Sequence, residues 1–233
     1  MKTVIIFCNT SWNIYNFRRK LISELKKKYK VIIISGQDDY SNKVKNFAKS
    51  YFLNLENRSI NFFKNIKEIF YLKEIINNYP NATIINFTNK SIILGTFAVF
   101  FKKIKVINVV TGLGHTYLQN NIFIKLIIKF LYLLVNFKSD IIIVQNKYNK
   151  KYFQNKFFTN KKVKLIHGSG VDIKKFLPTK KIKQKKIFLY YGRVLKEKGI
   201  FNYLEAATFF QKDNSIIFKV VGELNYKNFS NKE

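Results

Sequence analysis

Cysteine and tryptophan each occur once in these 233 residues, proline and histidine twice, and the acids number only 13. The single thiol, Cys8, sits in the apolar run 4–8, so an intramolecular disulfide framework is excluded and a core position in a reducing cytosol is expected. One cysteine and two widely separated histidines, His115 and His167, supply no spaced zinc-ligand set, and no metal is expected. A Walker A lysine loop, a nucleophile elbow and a hydride-cofactor G-x-G-x-x-G are all missing, and the scattered acids form no catalytic carboxylate pair. No apolar run reaches the roughly 18 residues of a membrane span. After Lys2 only the short stretch 4–8 is apolar before Asn9-Thr10-Ser11, so no signal peptide is expected.

What the chain does contain is 47% hydrophobic residues, enough for a sizeable core and one domain with part of another. Forty-three Lys and Arg give a net charge of +30. Such a balance points toward nucleic acid or an anionic membrane surface. Abundant Lys, Asn, Ile, Phe and Tyr beside scarce Ala, Gly, Pro and Arg also match the bias of an AT-rich genome, which discounts part of that charge. The lysines run along every helix and loop instead of concentrating with aromatics on one element, so no nucleic-acid partner is expected.

Short Val, Ile and Phe runs at 3–8, 31–35, 83–87, 105–110, 140–144 and 162–166 alternate with helical stretches at 15–29, 62–78, 91–101, 121–137 and 147–157. Near-continuous apolar character suits strands covered on both faces, and the alternation predicts an α/β fold with a doubly wound parallel sheet. Within 122–137, Lys125, Lys129, Tyr132 and Asn136 draw one narrow polar stripe on an otherwise apolar helix. A core-facing helix is the expectation, and a helix lying in a membrane interface is the alternative. The run Lys180 to Lys186 is too polar for a core and reads as a linker, placing a first domain at 1–178, the linker at 179–186 and the start of a second domain at 187–233. That last segment holds one strand–helix–strand unit at 187–191, 199–211 and 216–221.

Four loops carry candidate chemistry. Residues 191–199 follow a strand and enter a helix: Gly192 permits a tight turn, and Arg193 and Lys198 add a guanidinium fork and a point charge suited to a diphosphate. A solvated basic loop is the plainer reading of the same residues. In Thr111-Gly112-Leu113-Gly114-His115, Gly112 and Gly114 allow close backbone approach and His115 could move a proton, although a lone loop histidine is more often a surface residue. Gly168 and Gly170 flank Ser169 in a turn that leads to Asp172, which could cap a short helical turn. Near the start, Trp12, Asn13, Asn16 and Arg18 could receive a sugar or a lipid-linked phosphate, while Asn13 could equally cap the next helix.

Taken in order, N-T-S-W-N-I-Y-N-F-R at 9–18, T-G-L-G at 111–114, G-S-G-V-D-x-x-x-F at 168–176 and G-R-x-x-x-E-K-G at 192–199 resemble the bacterial family 4 glycosyltransferases that build capsule, O-antigen and lipid-linked glycans. The resemblance implies a GT-B fold: a complete N-terminal doubly wound, Rossmann-like domain binding the acceptor, plus the first β-α-β unit of a second, sugar-nucleotide-binding domain. It implies transfer with retention from a nucleotide-sugar, UDP-sugar by default, to a polyprenyl-diphosphate-linked or other glycan acceptor, with no metal or other cofactor. Arg193, Lys198 and Gly192 match the loop that holds the leaving diphosphate. Gly112, Gly114, Gly168 and Gly170 match cleft loops, Asn13, Asn16 and Arg18 the acceptor side, and His115 a catalytic histidine that many relatives place slightly differently. The chain would act in the cytoplasm, peripherally at the inner face of the cytoplasmic membrane. The family's paired donor-site glutamates lie beyond Glu233, so little activity is expected of this chain by itself. A fragment, a noncatalytic remnant, or a split enzyme whose partner chain carries the other half each fits that departure.

Overall fold

The computed structural model describes residues 1–55, 62–112, 122–157, 162–178 and 185–223. His115 and Gly114 therefore lie outside the described residues. The chain divides into two compact units, Met1–Phe176 and Leu177–Glu233.

In the first unit the strands are β1 (Thr3–Cys8), β2 (Lys30–Gly36), β3 (Lys49–Leu53), β4 (Thr83–Phe87), β5 (Lys105–Val110), β6 (Ile141–Val144) and β7 (Val163–Leu165). The helices are α1 (Ser11–Phe17), α2 (Arg19–Lys26), α3 (Ser41–Lys45), α4 (Phe62–Asn77), α5 (Asn89–Ala98), α6 (Ile122–Lys138) and α7 (Lys147–Phe157). All seven strands pair in parallel in the order β3-β2-β1-β4-β5-β6-β7. The order reverses between β1 and β4, which makes their carboxyl ends the switch point where doubly wound sheets bind ligands.

The apolar runs become strands because both faces of the sheet are covered. Ile5 and Phe7 of β1 join Ile32, Ile34 and Ile84 in one core layer, while Val4, Ile6 and Cys8 join Ile33 and Val109 in the other. Consecutive residues thus enter opposite cores, as the period of two requires. Each fully buried Ile or Phe in these layers contributes about 1.5–3 kcal/mol. Polar side chains are also buried between β4, β5, α5 and α6. Asn86 Nδ2 donates to Asn108 Oδ1 at 2.8 Å, and Asn108 Nδ2 donates to Thr96 Oγ1 at 3.1 Å and Ser139 Oγ at 2.8 Å.

Three expectations need correction. The continuous helix at 15–29 is two helices, broken where Arg18 caps α1 with φ −119° and ψ −4°. Asn13 is not the cap: Thr10 Oγ1 accepts from the Asn13 N–H at 3.1 Å, and Asn13 lies inside α1. The third concerns α6, expected to turn its apolar side to the core. Among the described side chains Tyr132, Val135 and Asn136 are buried, and most of the helix's apolar residues are exposed. The inward side is chosen by polar partners, with Tyr132 Oη donating to Asn89 Oδ1 at 2.9 Å.

The second unit contains β8 (Lys186–Tyr191), a 3-10 turn (Lys196–Lys198), α8 (Ile200–Phe209) and β9 (Ile216–Val221). The two strands pair in parallel from Lys186↔Ile216 to Tyr191↔Val221. Tyr203 of α8 donates to the carbonyls of Phe188 and Lys219 at 3.0 and 2.8 Å, tying the crossover helix to both strands. Ile187, Phe188, Leu189, Val220 and Val221 remain exposed, so this unit buries far less apolar surface per residue than the first.

Candidate active site

The carboxyl end of β1 leads into a loop pinned to its neighbour. Ser11 Oγ donates to the Gly36 carbonyl at 2.9 Å, with the hydroxyls of Ser35 and Ser41 at 2.8 and 3.0 Å. A Cβ on Gly36 would stand 2.1 Å from the Asn9 carbonyl oxygen, so only glycine lets the β1 and β2 ends approach this closely. The first turn of α1 is already satisfied: the Trp12 N–H donates to Asp38 Oδ2 at 2.9 Å, and the Asn13 N–H to Thr10. Positive potential at this end of the sheet must come from elsewhere.

It comes from Arg18. Its side chain is 5% exposed, its guanidinium lies 4.1 Å over the Phe87 ring, and one terminal N–H donates to Ser169 Oγ at 2.9 Å. Its Nε–H has no hydrogen-bond partner, and among the described residues no carboxylate pairs with it. Burial pushes the guanidinium pKa down from its ordinary value. A buried cation without a counter-anion is costly, and such groups cluster where an anionic ligand completes them.

Phe87 ends β4, and the next residue, Thr88, has φ 74° and ψ 150°, the one non-glycine residue with positive φ among the described residues. That region is nearly glycine-only, so Thr88 stores about 1–3 kcal/mol of strain. Thr88 precedes α5, whose amino end has no side-chain cap, and its hydroxyl lies 3.3 Å from that of Ser91. Uncapped N–H groups at a helix start favour an anion. Arg18, Thr88 and the α5 amino end therefore converge through Phe87 on the switch point.

Ser169 belongs to the loop after β7, and the Gln145 side chain after β6 also donates to it at 3.4 Å. Gly168 and Gly170, on either side, have φ 66° and 70°, and a Cβ on either would meet nothing within 4 Å. Glycine is needed there for backbone conformation, which bends the loop back to Arg18. Asn16 is exposed and donates to the Trp12 carbonyl at 3.0 Å. Asn13 accepts a weak 3.7 Å contact from the Cys8 thiol, whose pKa burial pushes up to about 12. Gly112 follows β5 at the same sheet edge, with open space around its Cα.

The second unit holds Gly192, Arg193 and Lys198. Gly192 has φ 150°, and a Cβ on Gly222 would stand 1.7 Å from the Gly192 carbonyl oxygen, so the two strand ends pack backbone to backbone. Arg193 and Lys198 are exposed, with no ion-pair partner among the described residues. Gly199, with φ 75°, closes the 3-10 turn and starts α8 without a side-chain cap. Sequence reasoning found Arg18 and Ser169's glycines but not Phe87, Thr88 or the start of α5. The Thr-Asn pair directly after a strand and before an apolar helix was the available signal. Among the described residues no three His, Cys, Asp or Glu side chains gather.

The sequence profile of the Glycosyl transferase 4-like family matches residues 4–146, most of the seven-stranded unit. The chain belongs to that family. A relative from Campylobacter jejuni, N,N'-diacetylbacillosaminyl-diphospho-undecaprenol alpha-1,3-N-acetylgalactosaminyltransferase, is 30% identical over 84% of this chain. The chain spans 57% of that relative's length. Among solved structures, sucrose-phosphate synthase from Thermosynechococcus elongatus superposes with a TM-score of 0.72 at 15% identity, covering 98% of this chain and 64% of that one. UDP-GlcNAc 2-epimerase from Neisseria meningitidis, bound to UDP-GlcNAc, does so with a TM-score of 0.65 at 18% identity, covering 97% and 67%. These likenesses establish the GT-B type of α/β fold for this glycosyl transferase 4-like chain.

Proposed function

We propose that this chain serves sugar transfer from a nucleotide-sugar, UDP-linked by default, to a polyprenyl-diphosphate-linked glycan in surface polysaccharide synthesis. The observation that carries the reading is Arg18, a buried cation without a carboxylate, aimed at the carboxyl edge of β1 and β4. A diphosphate on the acceptor lipid supplies the missing anion, held by Arg18 and the amino end of α5, which has no side-chain cap. The exposed rings of Trp12 and Phe17, edge to face at 5.3 Å, offer an apolar platform for the attached sugar. The Campylobacter relative, named for a diphospho-undecaprenol acceptor, supports the same acceptor class.

Arg193 and Lys198 hold the donor diphosphate. In the reaction an acceptor hydroxyl oxygen bonds to the sugar's anomeric carbon as the bond from that carbon to the nucleotide diphosphate breaks. The diphosphate leaves with the bonding pair and takes up the hydroxyl proton, and the two basic side chains neutralise the charge it gains. We propose retention of anomeric configuration and no metal. The experiment is incubation of labelled UDP-sugars and a polyprenyl-diphosphate glycan with this chain and a donor-site half supplied in trans, since the chain by itself is expected to transfer little. Label entering the lipid fraction is the expected result. Release of a C2 epimer of the free sugar nucleotide, without lipid labelling, would overturn the reading in favour of an epimerase.

A further inference from the structure

Helix α6 has its sides reversed relative to an ordinary surface helix. Phe123, Leu126, Ile127, Phe130, Leu133 and Phe137 are all exposed, Phe123 at 73% and Phe137 at 78%. At about 100° per residue they fall within an arc of roughly 120°. The opposite side carries Tyr132, Val135 and Asn136, which are buried. Phe101, 97% exposed in the turn after α5, extends the apolar arc: its ring meets Phe100 at 5.2 Å, and Phe100 stacks on Phe137 at 6.5 Å. Lysines border this surface. Lys129 lies along one edge of the arc, Lys138 along the other, and Lys102 and Lys103 follow Phe101. Lys138 donates to the Lys102 carbonyl at 2.5 Å, linking the turn to the end of the helix.

We propose that this face docks onto an anionic lipid bilayer, the phenylalanines entering the acyl boundary and the bordering lysines reaching the lipid phosphates. An apolar stripe edged by basic residues on a helix lying in the interface has the required form. No helix among the described residues is long and apolar enough to cross a membrane, so α6 lies on the bilayer. Charge decides between occupants. A second copy seated on the same face would bring two sets of these lysines together on chains of net charge +30, whereas anionic phosphates neutralise them. The inference stands apart from the sugar-transfer reading, because vesicle binding requires no turnover.

The test is flotation of the full chain with phosphatidylcholine vesicles, with and without phosphatidylglycerol, at low and high salt. The wild type is expected to float with the anionic vesicles and to release as salt rises. Phe123→Ser/Phe130→Ser should weaken binding by roughly tenfold or more. Lys103→Gln/Lys129→Gln should weaken it by on the order of tenfold on anionic vesicles only. Both pairs stand at the surface, so melting temperature should hold. As an independent reading, Phe130→Trp emission should be quenched by brominated lipid. Wild-type flotation by the Phe123→Ser/Phe130→Ser variant, an unquenched Trp, or a lipid-indifferent dimer that this variant dissociates would each overturn the proposal.

Discussion

Replacing Arg18 by methionine keeps a long, largely apolar side chain while removing the charge, and the structure sets what this should do to stability. Lost are the stacking on Phe87 at 4.1 Å and the bond to Ser169 at 2.9 Å. The first is worth about 2 kcal/mol when desolvated, the second about 1.5 kcal/mol, less here because the exposed Ser169 regains water. Gained is relief from holding a cation out of water with its Nε–H unpartnered, a cost of several kcal/mol. The terms nearly cancel, so Arg18→Met should unfold in urea within about 1 kcal/mol of the wild type, or above it. An arginine placed for structure would behave differently, since breaking a buried ion pair costs about 3–5 kcal/mol. Parallel urea titrations of both proteins decide the matter. A loss of about 3 kcal/mol or more would refute the reasoning that Arg18 is kept for a ligand.

Other perturbations follow from the same geometry. Thr88→Gly removes the strain of φ 74° and should raise stability by about 1 kcal/mol, or roughly 2–4 °C in melting temperature, while weakening acceptor binding. Asn108→Ala strands Asn86 and Thr96 in the core, while Ser139 keeps its bond to the Val135 carbonyl, and should cost about 2–4 kcal/mol in urea unfolding; a cost under about 1 kcal/mol would contradict the network's role. Cys8 keeps its proton to about pH 12 when folded, whereas the unfolded chain releases it near 9. Its contribution to stability is thus full below that unfolded value and is lost as pH rises toward the folded one, at about 1.4 kcal/mol per unit. Comparing the wild type with Cys8→Ala by denaturation across this range should show the slope flatten in the variant, and thiol reagents should modify Cys8 only on unfolding.

The parallel sheet was legible because strands covered on both faces are written as unbroken Val and Ile runs, as in β1, β2 and β4. Edge strand β3 was not, since Lys49-Ser50-Tyr51-Phe52-Leu53 is short, only half-buried and preceded by the small helix α3. The break at Arg18 carries no glycine or proline, and the residue leaves the helical path because its side chain turns inward over Phe87. For α6 the sequence displayed a polar stripe correctly but could not tell which side meets the protein; Asn89 of α5 decides it through Tyr132. The candidate site was half legible. Arg18 and the glycines around Ser169 stood out by residue type, but Thr88 is distinguished only by a backbone angle that no sequence pattern announces.

The most direct measurement of sugar transfer is organic extraction after incubating the protein with a labelled UDP-sugar panel and a polyprenyl-diphosphate glycan, wild type beside Arg18→Met and Arg193→Ala/Lys198→Ala. With a donor-site half supplied in trans, the account predicts label in the lipid phase for the wild type, with a loss on the order of a hundredfold in each variant. Lipid labelling that survives Arg18→Met undiminished, or no transfer with a free epimer formed instead, would contradict it.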